Sequence, residues 1–281
     1  MQAQKIDYKT YYKVFGLSRK YTWLGKKDVP LVELFNLCDS VSQQDLIHFL
    51  IENFTYVDEE KIDIMTKDIN NQISKIWRCS ESDSILISIA DDTKNEVDGS
   101  QYGAQLLKNQ LGWGEKNFIS SIGKGAYLIK DNTNAILFDD FIGSGKTIEN
   151  KIAYFKKTLE GRKIKNVKLF ILSFGCMSAT YNKLINKNYS IYSHFVLLKG
   201  ISDNFSKIKR IQQISDMIFL EKKLADTYKH HNLSTFNFGY KRSEALFSFT
   251  ELNIPNNVFP IFWWPMLKGQ KERKTIFKRA L

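Results

Sequence analysis

The stretch Asn134-Ala-Ile-Leu-Phe-Asp-Asp-Phe-Ile-Gly-Ser-Gly-Lys-Thr-Ile148 decides how the rest of the chain is read. Its apolar run, Ala135 to Phe138, has the length and composition of a buried strand. Two adjacent carboxylates, Asp139 and Asp140, close the run. A small-residue loop, Gly143-Ser144-Gly145, then leads through Lys146 to the hydroxyl of Thr147, where a helix is expected to begin. Glycines let the backbone approach a ligand and turn its N–H groups inward. A helix start adds unbonded donors and the positive end of a dipole. That half of the stretch suits a phosphate. Asp139 and Asp140 would repel one, and suit sugar hydroxyls or a magnesium ion instead. The ligand asked for carries phosphate at one end and hydroxyls, with metal, at the other.

Two named patterns compete for these residues. The P-loop of nucleotide triphosphatases reads G-x-x-x-x-G-K-[ST]. Gly145-Lys146-Thr147 supplies its end, but its first glycine would stand at 140, where an aspartate would face the phosphates. Residues 135–147 instead resemble, at each class of position, the phosphoribosyl-diphosphate (PRPP) motif of type I phosphoribosyltransferases: four apolar residues, two acids, two further residues, then a small loop with Gly and Thr. The resemblance implies that Asp139 and Asp140 hold the ribose hydroxyls, and the metal indirectly or through PRPP. It implies that Gly143, Ser144, Gly145, Lys146 and Thr147 hold the 5′-phosphate. Lys146 departs from the small residue often found there, which leaves its role open. A buried strand with a capped turn accounts for the glycines but not for two adjacent acids.

The chain has 281 residues, enough for a substantial core as one domain with insertions or two small ones. Hydrophobic residues at 43% and charged residues at 25% are ordinary for a soluble globular protein. The most apolar segment, residues 258–267, is short and broken by Pro260 and Pro265, so no membrane contact is expected. The N-terminus lacks the apolar core of a secretion signal, and a cytoplasmic location is expected. Cys38, Cys79 and Cys176 are far apart and make neither a disulfide framework nor a metal knuckle. The four histidines, His48, His194, His230 and His231, show no ligand spacing. A net charge of +11 favours polyanions, whether polyphosphorylated small molecules or nucleic acid. Cations are densest from Lys268 onward, a basic tail that reads as a solvated end or a nucleic-acid contact.

Three regions follow from the patterning: a helical N-terminal region over 1–82, an α/β core over 83–200, and a less regular region over 201–281 that completes the core and carries the tail. In the first, Ser42-Gln-Gln-Asp45 resembles a capping box. Ile62, Met65, Ile69, Ile73 and Ile76 mark one apolar helix face. In the core, Ser84-Ile-Leu-Ile-Ser-Ile-Ala90 reads as a strand ending at Asp91 and Asp92, with a polar loop and then a helix from Ser100. Alternating strands and helices over 84–198 predict a parallel sheet with flanking helices, its ligand beyond the carboxyl ends of the strands.

By position in the phosphoribosyltransferase family, Gly99, Ser100 and Gln101 would grip the pyrophosphate, or form only an exposed loop. Gly123-Lys124-Gly125 reads as a hairpin turn or part of a mobile lid that would bring Lys124 to the pyrophosphate. Residues 253–264, Asn-Ile-Pro-Asn-Asn-Val-Phe-Pro-Ile-Phe-Trp-Trp, resemble the P-N-N-x-x-P-x-x-W stretch of phosphoribosyltransferase-like domains encoded in bacterial conflict and defence gene clusters. There Asn256 and Asn257 present amides to a ligand or cap a turn, and Trp263 or Trp264 stacks on a base or fills the core.

These resemblances imply an enzyme that binds magnesium–PRPP and transfers its phosphoribosyl group to an acceptor, as an effector in antiphage defence with a protein partner from such a cluster. The alternative is a non-catalytic module of the same fold that senses PRPP or a nucleotide and regulates a partner or binds nucleic acid.

Overall fold

The computed structural model describes residues 8–90, 99–250 and 252–279. Asp91, Asp92 and the loop to residue 98 lie outside the described residues. The chain divides into two compact units: residues Glu59–Leu197 form one, and the residues up to Asp58 together with those from Leu198 form the other. That division differs from three consecutive regions. The α/β unit begins one helix earlier than the patterning suggested, and the third region shares its unit with the first 58 residues rather than with the sheet.

The α/β unit opens with α1 (Glu59–Asn71), followed by β1 (Ser84–Ser88), α2 (Gly99–Leu111), β2 (Phe118–Ile119), α3 (Ile122–Leu128) and β3 (Asn134–Ile142). Then come α4 (Lys146–Gly161), β4 (Lys168–Met177), α5 (Ser178–Asn186) and β5 (Ser190–Leu197). The strands form one parallel sheet in the order β2-β1-β3-β4-β5. The order reverses direction between β1 and β3, which opens a crevice at their carboxyl ends. Side chains alternate across the sheet. Ile87, Leu137, Ile171 and Ile191 pack on one face with Ile122 and Ala126 of α3, Ile148, Ile152 and Phe155 of α4, and Leu184 of α5. Phe138 and Phe174 face the other way, 4.9 Å apart, against Gly103 of α2.

The apolar face expected for the first helix of this unit holds through Met65, Ile69 and Ile73, all fully buried. It fails at Ile76, which is 69% exposed. The helix widens into a π-type turn over Gln72–Ile76, and that extra residue per turn rotates Ile76 outward.

In the other unit, helices Tyr8–Lys20, Asp28–Phe35, Val41–Glu52 and Lys207–Glu221 surround a core that includes Trp263 and Trp264, both buried. A short parallel pair joins Thr55–Val57 to Phe247–Phe249. The helix at 41 is capped by Ser40, whose Oγ accepts from the Gln43 N–H at 3.2 Å. Ser42 instead donates to Asp216 at 2.6 Å, so the capping box read there is displaced by two residues. The basic tail is not a solvated end. Arg273 is buried and donates to the carbonyls of Trp264 (2.9 Å) and Ile261, Arg279 donates to the Ile254 carbonyl, and Ile276 and Phe277 enter the core.

Candidate functional site

β3 runs four residues beyond the apolar segment, so the diacid lies within the strand rather than after it. Asp139 pairs across from Ser173, and Phe141 and Ile142 from Gly175 and Cys176. Gly175 therefore sits inside β4. Pleat alternation puts Asp140 on the α2 face with Phe138, and Asp139 on the opposite face with Leu137. Two contacts agree. A Cβ on Gly99, at the start of α2, would fall within 2.7 Å of the Asp140 carboxyl carbon. The Asp139 charge, after burial itself, helps push the thiol of Cys176, a member of the α3–α5 cluster, up to about 12.

The alternation then breaks. Ile142 and Cys176 join the cluster that holds Leu137 and Ile171, five residues earlier on each strand, which a strict two-residue period forbids. The register skips Asp140 opposite Phe174, and Phe174 opposite His194, so the irregularity crosses three strands at the level of the diacid. Local breaks of this kind re-aim side chains at sheet edges.

Beyond β3 the loop bends through Gly143 and Ser144 to Gly145, whose φ of +75° is left-handed. A Cβ there would lie 2.6 Å from Thr180 Cγ2. The Thr180 hydroxyl donates to the Gly143 carbonyl at 2.6 Å, so the start of α5 braces the loop from below. Thr180 was not legible as a site residue; no local motif marks it, and only the parallel crossover brings it under the loop. Helix α4 begins at Lys146 without a side-chain cap, and its first intrahelical bond is Glu149 N–H to Gly145 C=O (3.0 Å). The N–H groups of Lys146, Thr147 and Ile148 precede that bond and have no partner within the helix, the kind of helix end that can hold an anion. Lys146 and Thr147 are exposed and Ser144 is half-buried. Glu149, in this first turn, is ion-paired to Lys183 of α5 (2.8 Å) and to Lys187 just past its end (2.6 Å), which hold its carboxyl below the usual range.

Gly99, Ser100 and Gln101 belong to the first turn of α2 rather than to a loop. Gly99 lies against Asp140, Ser100 is buried with its carbonyl accepting from Ser88 Oγ (3.2 Å), and Gln101 donates to the Ser120 carbonyl (3.2 Å). Gly99 and Gly103, one helical turn apart, let α2 lie close on Asp140 and Phe138. That glycine spacing is a signal the sequence offered. Gly123, Lys124 and Gly125 do not make a hairpin turn: they form the first turn of α3, capped by Ser121. The helix starts where Ile122 N–H bonds the Ala90 carbonyl, at the carboxyl end of β1, and Gly125 packs against Ile87. Lys124 is exposed in that turn.

Asn257 and Trp263 spend their polar atoms inside the protein. Asn257 bonds Ser243 Oγ (3.0 Å) and the Tyr240 carbonyl (3.3 Å), and Trp263 Nε1 bonds the Val258 carbonyl (2.9 Å). Both tryptophans are core, not stacking platforms. Among the described residues no three His, Cys, Asp or Glu side chains gather to cage a metal ion.

The starts of α2, α3, α4 and α5 thus converge with the diacid on the carboxyl edge of one parallel sheet. A strand that carries paired acids near its end and turns through a left-handed glycine into an uncapped helix is the arrangement of a phosphoribosyltransferase-like protein. The chain belongs to the PRTase-CE family, whose model matches residues 37–279 and thus takes in residues of both units. None of the curated proteins compared with it matches. Among solved structures it is similar to the HGPRT-ase from Leishmania tarentolae in complex with GMP, at 11% identity and a TM-score of 0.34, over 51% of this chain and 79% of that one. A likeness that slight carries no argument about ligands. No helix among the described residues is long and apolar enough to cross a membrane.

Proposed function

We propose that the carboxyl edge of the sheet binds magnesium–PRPP and that the protein transfers its phosphoribosyl group to an acceptor, displacing pyrophosphate at the anomeric carbon. The observation that carries this reading is the joint placement of Asp139, Asp140 and the 143–147 turn at the end of β3, beside the start of α2. The backbone N–H groups opening α4, with the Thr147 hydroxyl, take the 5′-phosphate. Thr180 keeps the loop in its left-handed turn without touching the ligand. Asp139 and Asp140 leave the strand on opposite faces and so meet different hydroxyls of the ribose. Their negative charge favours the positive charge that develops on the ring as the pyrophosphate departs. Gly99 lies against Asp140, Lys124 is in the first turn of α3 at the carboxyl end of β1, and the pyrophosphate is proposed to lie between them.

Magnesium, when bound with the substrate, neutralises the leaving pyrophosphate. The residues fit an ion carried by substrate, because magnesium is commonly held by one or two carboxylates plus phosphates rather than by a protein cage. The acceptor, a role in antiphage defence, a cytoplasmic location and a protein partner rest on the family resemblance. The sensing alternative gains no specific observation here.

The test is incubation with magnesium and PRPP, following pyrophosphate release with water, nucleobases, nucleotides and oligonucleotides as acceptors. Release that disappears in the Asp139→Asn, Asp140→Asn double variant is the expected result. Tight PRPP binding with no turnover under any acceptor would make the site a sensor.

A further inference from the structure

The unit without the large sheet holds a cavity of about 430 Å³, within the size range of small-ligand pockets. Its floor is made by buried Glu221, Leu233 and Phe238, and its rim by exposed Lys222, Asp226 and Lys268. Glu221 is the unusual member. It ends the helix Lys207–Glu221, where the dipole disfavours an anion, and is only 4% exposed. Among the described residues its donor is the Phe238 N–H, shared between the two carboxyl oxygens at 3.1 and 3.2 Å. A carboxyl group can engage about four hydrogen-bond sites, and leaving a buried one so sparsely met is costly.

The backbone that meets it is also strained. Phe238 has a φ of 57°, and Lys241, Arg242 and Glu244 are left-handed as well. Such clusters persist only where surroundings enforce them. Here Ser243 Oγ and the Ala245 N–H both bond the Asn257 carbonyl, at 2.9 and 3.1 Å, and the Glu244 carboxylate accepts from the N–H groups of Ile201 and Ser202. An apolar side chain here would orphan the Phe238 N–H, but an acceptor for that one donor is all that folding asks, and a carboxyl brings more hydrogen-bonding capacity than it spends.

We propose that this cavity is a second ligand site, taking a purine nucleotide whose base sets an N–H donor beside an acceptor against Glu221 and whose phosphate meets Lys222 and Lys268. A neutral carboxyl presents the complementary donor and acceptor side by side. Burial supports that state, pushing the Glu221 carboxyl up to about 8, while Arg242 works against the rise and Glu244 with it. The other charged groups facing the cavity are Lys222, Asp226 and Lys268, the last 4.0 Å from Asp226.

The test uses the full chain carrying Asp139→Asn and Asp140→Asn, so that binding at the sheet edge is weakened. AMP and GMP are titrated calorimetrically at pH 7, with ribose 5-phosphate and adenosine as controls lacking the base and the phosphate. At least one nucleotide should saturate below about 1 mM and bind about tenfold or more tighter than either control, one such step being 1.4 kcal/mol. Lys222→Ala with Lys268→Ala should remove the advantage over adenosine. Glu221→Leu should abolish binding while its thermal melt shows a folded protein. Glu221→Gln keeps a donor, an acceptor and the bond from Phe238, so it should bind without the weakening above about pH 8 expected of the parent. If Glu221→Leu does not fold, that pH comparison decides. A short single-stranded oligonucleotide binding tighter than AMP would name a strand, rather than a free nucleotide, as the source of the same chemistry. Equal affinity in Glu221→Leu, unchanged pH dependence in Glu221→Gln, or no saturation by either nucleotide would overturn the proposal.

Discussion

Gly145 and Gly99 set the site at the scale of single residues, because each leaves a place that a side chain would fill. At Gly145 the backbone is left-handed and Thr180 Cγ2 stands 2.6 Å from where a Cβ would be. Gly145→Ala should therefore cost about 1–3 kcal/mol of stability, read as a shift in urea midpoint. Gly161, with nothing within 4 Å, is the control, and Gly161→Ala should cause no comparable loss. At Gly99 a methyl group would press on the Asp140 carboxylate, a movable side chain rather than backbone. Gly99→Ala should keep its melting temperature within a few degrees and lose PRPP affinity about tenfold. A variant that binds normally would remove Asp140 from the ligand's path. The diacid and the glycine loop were plain in the sequence because their chemistry is local. Thr180 was not, since its partner carbonyl is 37 residues away and is reached only through a crossover.

Among the elements, α4 carries the argument for an anion site, and its first turn contains a feature that tempers it. Glu149 puts a carboxylate near the helix N-terminus, its charge paired with Lys183 and Lys187. Replacing it by glutamine releases two lysines and removes a nearby negative charge. The Glu149→Gln variant should bind PRPP several-fold tighter at low salt, with the gain fading at high salt, while stability changes by less than about 1 kcal/mol. Unchanged binding would place the phosphate away from this helix end. The apolar periodicity of α4 was legible throughout, with Ile148, Ile152, Phe155 and Leu159 all buried. The two-residue strand β2 and the helix over Gly123 to Gly125 were not. The helix contains glycines that read as a turn, β2 is only Phe118 and Ile119, and the form of both depends on packing against β1: Leu86 opposite Phe118, and Ile87 under Gly125.

For the whole molecule, long-range packing overrides the order in which the regions occur in the chain. The segment rich in Lys and Arg after 268 looked terminal and solvated, yet Arg273 and Phe277 are fixed in the core of a unit that also contains the first helices. Composition reports charge but not burial, and an arginine bonded to carbonyls is indistinguishable in sequence from one bound for a polyanion. Glu221 gives this unit a pH signature. Its carboxyl is raised from 4.5 to about 8, so the folded state keeps a proton that the unfolded chain releases between those values. Stability should fall as pH rises from about 4.5 to 8, by up to about 1.4 kcal/mol per pH unit, and level off above. Denaturant melts across that range should lose this slope in Glu221→Gln.

The central claim is that one sheet edge recognises both ends of PRPP, and calorimetric titration of magnesium–PRPP into the intact protein tests it most directly. The account predicts a single saturable site, weakened about tenfold or more by either Asp139→Asn or Asp140→Asn, in variants that melt like the parent. Saturable binding of equal strength in the parent and both variants, or none in the parent, would contradict it.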